Sequence, residues 1–255
     1  MIVAAALVWW NERPDDLEAC IRGVATVADR IVAVDGAYAR YPGATVLSAP
    51  EQARRIMETA VEVGIGCEVH TPGRLWAGQV EKRTHAMQRA SCGADWVMVV
   101  DADWIVSGDR EQVRAELAQC AEDVVAVPFR TRKGDRYATK WHRAEEDRPT
   151  LLPQFYRPLP GLRVEGHHWW YSAVKDGRRV WMWHGEPTPW PVLPQHALRA
   201  PYGVEHLTLL RSEQQVLDSR AFCNDRARVV AWTGQEDDVP GLPRPEYDYV
   251  TEPIG

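Results

Sequence analysis

The run Trp96-Val97-Met98-Val99-Val100 ends abruptly in Asp101-Ala102-Asp103, and this constrains the fold more than any other feature of the chain. Five consecutive apolar residues, three of them valine, have no polar face, so they suit a central strand covered on both sides. A strand of that kind belongs to an open α/β sheet, whose ligands bind beyond the carboxyl ends of its strands. Two carboxylates placed two residues apart at such an end can both point into one cleft.

The rest of the first half supports this architecture by alternating short apolar runs with helical patterns. Strands are expected at Val3 to Trp9, Arg30 to Val34, Cys67 to His70 and Trp96 to Val100. Helices are expected at Pro14 to Ala28, Glu51 to Val63 and Trp76 to Ala90. Pro14 suits a helix start, Ser48 with Glu51 reads as a capping box, and Gly64 and Gly66 stop the second helix. A helix from Asp109 to Cys120 and a strand from Val124 to Phe129 follow.

Beyond Arg130 the chain turns arginine-rich and aromatic. Strands are expected at Leu152 to Arg157 and Arg179 to Trp183, a proline-rich loop from Glu186 to Pro201, and a helix from Ser212 to Ala231. The reading is therefore one α/β domain with a mixed, mostly parallel sheet flanked by helices. Residues 1–107 form its ligand-binding half, 108–232 a C-terminal extension of the same domain, and 233–255 a proline-rich tail.

Five cysteines, odd in number and without a C-x-x-C pair, argue against a disulfide framework or a zinc knuckle and for a reducing compartment. The apolar opening from Ile2 to Trp10 lacks the basic start and cleavage pattern of a signal peptide, and no run approaches the ~20 apolar residues of a membrane span. A cytoplasmic protein is expected. The formal charge of −6 argues against non-specific coating of nucleic acid.

Paired carboxylates at a strand end suit a divalent cation that neutralises the charge developing on a leaving nucleoside diphosphate. Oxygen ligands favour Mg²⁺ or Mn²⁺, and a histidine in the shell tilts the choice towards Mn²⁺. In this series of features the chain resembles the GT-A glycosyltransferases, especially family 2, over residues 2–107. The resemblance is carried by Asn11-Glu12 after the first strand, Asp35-Gly36 after the second, Lys82-Arg83 in the helix before the acidic turn, and Asp101-Ala102-Asp103 itself.

That resemblance implies a GT-A type, Rossmann-like fold and a nucleoside-diphosphate sugar as donor. Asn11, Glu12, Asp35, Lys82, Arg83 and Asp101 would line the donor, with Asp35 at the base, Lys82 and Arg83 near the phosphates, and Asp101 at the ribose or metal. Asp103 would ligate the metal. Structural alternatives stand beside these roles: Asn11 and Glu12 capping the first helix, Asp35 stabilising a turn with Gly36, and Lys82 and Arg83 on a solvated helix face.

The stretch from Gln154 to His168 is similar to the acceptor side of the same family and implies Glu165, His167 and His168 as acceptor-positioning or proton-removing groups. A base is needed only for an inverting reaction. Glu165 can equally partner Arg163. Trp169, in His168-Trp169-Trp170-Tyr171, reads as part of an acceptor wall or as ordinary core. His206 in Tyr202-Gly203-Val204-Glu205-His206 resembles a late histidine that returns to the metal, with His184 as its competitor.

Basic residues between Val124 and Val180 interleave with Tyr137, Trp141, Phe155 and Tyr156, a composition that suits an anionic acceptor or forms a self-neutralising face. The acceptor hydroxyl is left open among protein, glycan, lipid-linked carrier and a hydroxylated base in DNA. A nucleic-acid-binding module is the alternative of a different class. Val8-Trp9-Trp10-Asn11-Glu12-Arg13 has no glycine, which disfavours a nucleotidyltransferase, and the lack of G-x-G-x-x-G disfavours a dehydrogenase.

Overall fold

A computed structural model of the protein describes residues 1–39, 41, 43–133, 136–138, 150–165, 170–183 and 190–207. The first half runs β1 (Val3–Val8), α1 (Pro14–Val24), β2 (Arg30–Val34), α2 (Pro50–Glu62), β3 (Gly66–His70), α3 (Gln79–Ser91) and β4 (Trp96–Asp101). It continues through β5 (Trp104–Gly108), α4 (Arg110–Gln119), β6 (Val124–Lys133), β7 (Arg136–Ala138) and β8 (Thr150–Tyr156). The remaining strands are β9 (Arg163–Glu165), β10 (Trp170–Lys175), β11 (Arg178–Trp183), β12 (Gln195–Ala197) and β13 (Tyr202–His206).

The main sheet has ten strands in the order β3-β2-β1-β4-β8-β6-β13-β5, with β12 and β7 also paired to β6. Strands β3, β2, β1 and β4 are parallel, β8 is antiparallel to both β4 and β6, and β13 is parallel to β6 but antiparallel to β5. This is the mixed, mostly parallel sheet that the periodicity predicts, with the Rossmann-like character that the resemblance implies. Strands β9, β10 and β11 form a separate antiparallel sheet. Because β4 pairs with β8, residues on both sides of position 107 build the same sheet.

Period-two alternation sorts the strand residues into two cores. Val3, Ala5 and Leu7 of β1 pack with Leu17 and Ile21 of α1, Ile56 of α2, and Val113 and Leu117 of α4. Ala4, Ala6 and Val8 face the other way, towards Ala86, Met87 and Ala90 of α3 and Val164, Tyr171 and Ala173 of the small sheet. Every β1 residue is buried, because both faces are covered. At Gly23 of α1 an added Cβ would collide with the backbone of Val106 in β5, so only glycine lets that helix lie so close to that strand.

Several boundaries differ from the expectation for identifiable reasons. Ser48 does not cap the second helix: α2 starts at Pro50 with Ala49 as its N-cap and no side-chain cap, while the Ser48 hydroxyl turns inwards to Asp35. A buried carboxylate needs donors more than a solvated helix end does. The acidic turn leads into β5, where the sequence reading expects no strand before the helix at Asp109. Trp104 and Val106 alternate inwards there, but five residues give a weak period-two signal. Likewise 202–206 is a strand, with Tyr202 and Val204 inward.

Asp109 does cap α4, accepting from the Gln112 amide at 3.0 Å. The helix expected at Ser212 to Ala231, the tail at 233–255 and part of the loop expected at Glu186 to Pro201 lie outside the described residues. Among the described residues no helix is long and apolar enough to cross a membrane.

Candidate active site

The carboxyl ends of β1, β2 and β4 come together at one rim of the sheet, since these strands are parallel and adjacent. Asp101 ends β4, Ala102 is buried, and Asp103 is buried as the chain turns into β5. Strand β13 runs back antiparallel along β5 with His206 opposite Trp104, and the Leu207 amide donates to the Asp103 carbonyl at 2.8 Å. The two pairings carry the imidazole to the acidic turn: His206 Nε2 lies 3.1 Å from Asp103 Oδ2.

Asp101 takes a different partner. Arg83 Nη2 of α3 lies 2.5 Å from Asp101 Oδ1, with the guanidinium almost fully buried. Burial disfavours the charge of Arg83, but Asp101, Tyr171 and Tyr38 together outweigh it and hold the guanidinium above its ordinary range. Asp101 thus faces a cation already supplied by the protein, and Asp103 pairs with His206 beside it. Cys20, buried beneath, donates to the Asp101 carbonyl at 3.6 Å. Burial first, then Asp103, Asp101, Glu12 and Asp16, push its thiol well above the usual range, which marks the rim as acidic.

Lys82 does not lie on a solvated helix face. It is buried, and its ammonium donates to the carbonyls of Trp9 at 2.6 Å and Gly36 at 2.7 Å, tying the ends of β1 and β2 together. Burial pushes its pKa down to about 7, against the opposing pull of Asp35.

Asp35 is equally enclosed. Its Oδ1 accepts from the Gly36 amide and the Ser48 hydroxyl, both at 2.6 Å, and its Oδ2 accepts from the Ser48 amide at 3.0 Å. Ser48 Oγ also accepts from the Asn11 amide at 3.0 Å, with Asn11 held at φ 50°, a left-handed conformation that asparagine tolerates. Glu12 is half-buried and its amide donates to Gln52 Oε1 at 3.2 Å. Asn11, Glu12, Asp35 and Lys82 are thereby brought to one corner through Ser48 and Gln52, two polar residues that the sequence reading assigns to no site.

In the small sheet, Glu165 of β9 is half-buried and its Oε1 accepts from Arg163 Nε at 2.7 Å, Arg179 Nη1 at 2.7 Å and Ser172 Oγ at 2.5 Å. The partnership with Arg163 allowed by the sequence is present, and a second arginine joins it from β11. His167, His168, Trp169 and His184 lie outside the described residues. Tyr171, from the aromatic run His168-Trp169-Trp170-Tyr171, and Tyr38, which sequence reasoning missed, have hydroxyls that are pushed up by burial and feel both Arg83 and Asp101. An isolated tyrosine far from any motif carries no signal of that neighbourhood.

A cleft of about 710 Å³ lies along the face of α3 that carries Glu81, Thr84, His85 and Gln88, with Trp76 and Glu165 at its walls. Asp101 and Asp103 do not line it. It meets the small antiparallel sheet at Arg163 to Glu165.

No protein-family model matches the chain. Two uncharacterized proteins, from Mycobacterium bovis and Mycobacterium tuberculosis, are each 32% identical over 102 residues, covering 34% of this chain and 23% of the relative. The chain thus matches about a quarter of the length of these curated relatives. A 4-diphosphocytidyl-2C-methyl-D-erythritol synthase from Anaerococcus prevotii is 11% identical, covering 62% of this chain and 70% of that chain at a TM-score of 0.37. A mannose-1-phosphate geranyltransferase from Thermus thermophilus is 13% identical, covering 88% and 60% at a TM-score of 0.28. Likenesses this distant assign no activity to the chain.

Proposed function

We propose that the protein is a glycosyltransferase that moves a sugar from a nucleoside-diphosphate sugar to a hydroxyl acceptor, with Mn²⁺ or Mg²⁺ held at Asp103 and His206. The observation that carries this reading is the 3.1 Å pair of Asp103 Oδ2 and His206 Nε2 at the carboxyl end of a central strand. Bonds of about 2.1 Å at right angles put neighbouring ligands of an octahedral cation about 3 Å apart, so one oxygen and one imidazole nitrogen at this spacing fit the ion. Such ions keep positions for water and substrate phosphate beside their protein ligands.

When bound, the cation supplies positive charge to the leaving diphosphate. Arg83 holds Asp101 in place and adds a fixed positive charge behind the turn. Asp35, already accepting three hydrogen bonds, is assigned to fixing the loop through Ser48, and with it the wall beside the donor base. Lys82 is assigned to joining the ends of β1 and β2 instead of touching phosphate. Asn11 and Glu12 remain the donor-facing residues of the first loop.

Glu165 is assigned to positioning, because two guanidinium groups and a hydroxyl converge on one of its oxygens. An inverting reaction would then take its base from His168, with His167 and Trp169 at the acceptor. The test is release of nucleoside diphosphate from a panel of nucleotide sugars, with and without Mn²⁺. Release that needs the cation and is lost in Asp103→Asn supports the reading, and no binding or hydrolysis of any donor with either ion overturns it.

A further inference from the structure

A second group of metal-ligating side chains sits away from the acidic turn. Cys120 follows α4 and is buried, Glu122 precedes β6, and His196 belongs to β12. One ligand atom from each lies within 4.8 Å of the other two. Strands β4 and β6 run in the same direction, both antiparallel to β8, so residues that precede β6 stand at the rim opposite the carboxyl end of β4.

Cys120 Sγ is 3.5 Å from Glu122 Oε2. Bonds of about 2.3 Å to sulfur and about 2.0 Å to oxygen at a tetrahedral angle put these two atoms about 3.5 Å apart. The imidazole is oriented independently. His196 Nε2 meets Glu116 Oε1 at 2.6 Å, and Glu116 itself accepts from the Arg199 amide at 2.9 Å and the Ala200 amide at 2.7 Å. With Nε2 on Glu116, the ring nitrogen that His196 would offer to an ion is Nδ1. Metal-ligating histidines have this arrangement, one nitrogen on the ion and the other on a carboxylate. The backbone is held too, since His196 is in register with Val125 in a parallel pairing and the Leu198 amide donates to the Ala126 carbonyl.

We propose that Cys120, Glu122 and His196 form a binding site for a thiophilic divalent cation of the zinc class, separate from the cation proposed at Asp103. Thiolate, imidazole and carboxylate together select such an ion over Mg²⁺ or Ca²⁺, which prefer oxygen alone. These three ligands, all among the described residues, leave a fourth position for a further ligand such as water. On binding, the sulfur–metal bond forms as the thiol proton passes to solvent. The ion would join the end of α4 to β12 across residues distant in sequence, and so fasten the edge of the main sheet. Glu116 is a positioning residue that fixes the ring. No sequence motif announces the site, since Cys120 and Glu122 are two residues apart and His196 arrives from a different strand.

The test uses the full chain, freed of metal with a chelator and titrated with Co²⁺ as a spectroscopic probe. One equivalent is expected to produce a thiolate-to-cobalt charge-transfer band and the strong visible bands of a tetrahedral ion, both displaced by Zn²⁺. Cys120→Ser should abolish the charge-transfer band, and Glu116→Gln should weaken affinity about 10-fold or more while keeping it. Asp103→Asn should leave the spectrum unchanged, which separates this site from the proposed catalytic one. A wild-type chain that gives no thiolate band, or a band that survives in Cys120→Ser, overturns the proposal. Where Cys120→Ser fails to fold, loss of the tetrahedral bands in His196→Ala supports the site and their persistence there overturns it.

Discussion

His206 Nε2 stands 3.1 Å from Asp103 Oδ2, although the two residues are 103 positions apart in the chain. The contact exists because β13 pairs with β5 directly after the acidic turn. Asp103→Asn and His206→Ala should each lower cation-dependent release of nucleoside diphosphate by on the order of 100-fold, with the far-ultraviolet circular dichroism unchanged. Equal rates in wild type and both variants would separate this pair from any catalytic ion.

Arg83 and Asp101 form a pair with side-chain exposures of 6% and 18%. Removing one member of a buried pair strands the other, at a cost of about 3–5 kcal/mol. Arg83→Met should lose close to that in urea unfolding, and Arg83→Lys less. A loss under about 1 kcal/mol would mean that water screens the pair as it does at a surface.

Lys82 links stability to pH. Its folded pKa is lowered to about 7 from the ordinary 10.5, with burial as the main cause. Below pH 7 folded and unfolded chains both carry the proton, so the contribution is flat. Between the two values the unfolded chain binds more protons, and stability should rise with pH by at most about 1.4 kcal/mol per unit. A ¹⁵N titration of Lys82 Nζ should show a midpoint near 7. The stability difference between wild type and Lys82→Met should grow from pH 7 to 9; a difference flat across that range refutes the depressed value.

Ser48 ties Asn11 to Asp35, donating to Asp35 and accepting from Asn11. Ser48→Ala leaves a buried carboxylate oxygen short of a donor, at about 1–3 kcal/mol. Faster proteolysis between Gly36 and Ser48 should accompany the loss. An unchanged cleavage rate would show that the Ser48 hydroxyl is not needed to hold the loop.

The parallel half of the fold was legible because its signals are local. Arg30 to Val34 forms β2 with the bounds the apolar run suggests, and Pro14 starts α1 where a helix tolerates proline. The acidic turn was legible for the same reason: a strand with no polar face must end where Asp101 begins. What the side chains then do was not legible. Lys82 and Arg83 are neighbours of similar charge, yet Lys82 turns to backbone carbonyls and Arg83 to Asp101, because successive helix positions point about 100° apart.

Pattern and punctuation in the chain alone therefore determined the α/β alternation, the buried strand and the carboxylates at its end. Only the tertiary structure decided that Asp103 meets His206, that Asp35 is closed over by Ser48, and that Cys120 and Glu122 meet His196. Periodicity reports which face of an element is apolar. It carries no record of which distant strand will pair beside that element, and strand pairing brings residues from separate segments within bonding distance.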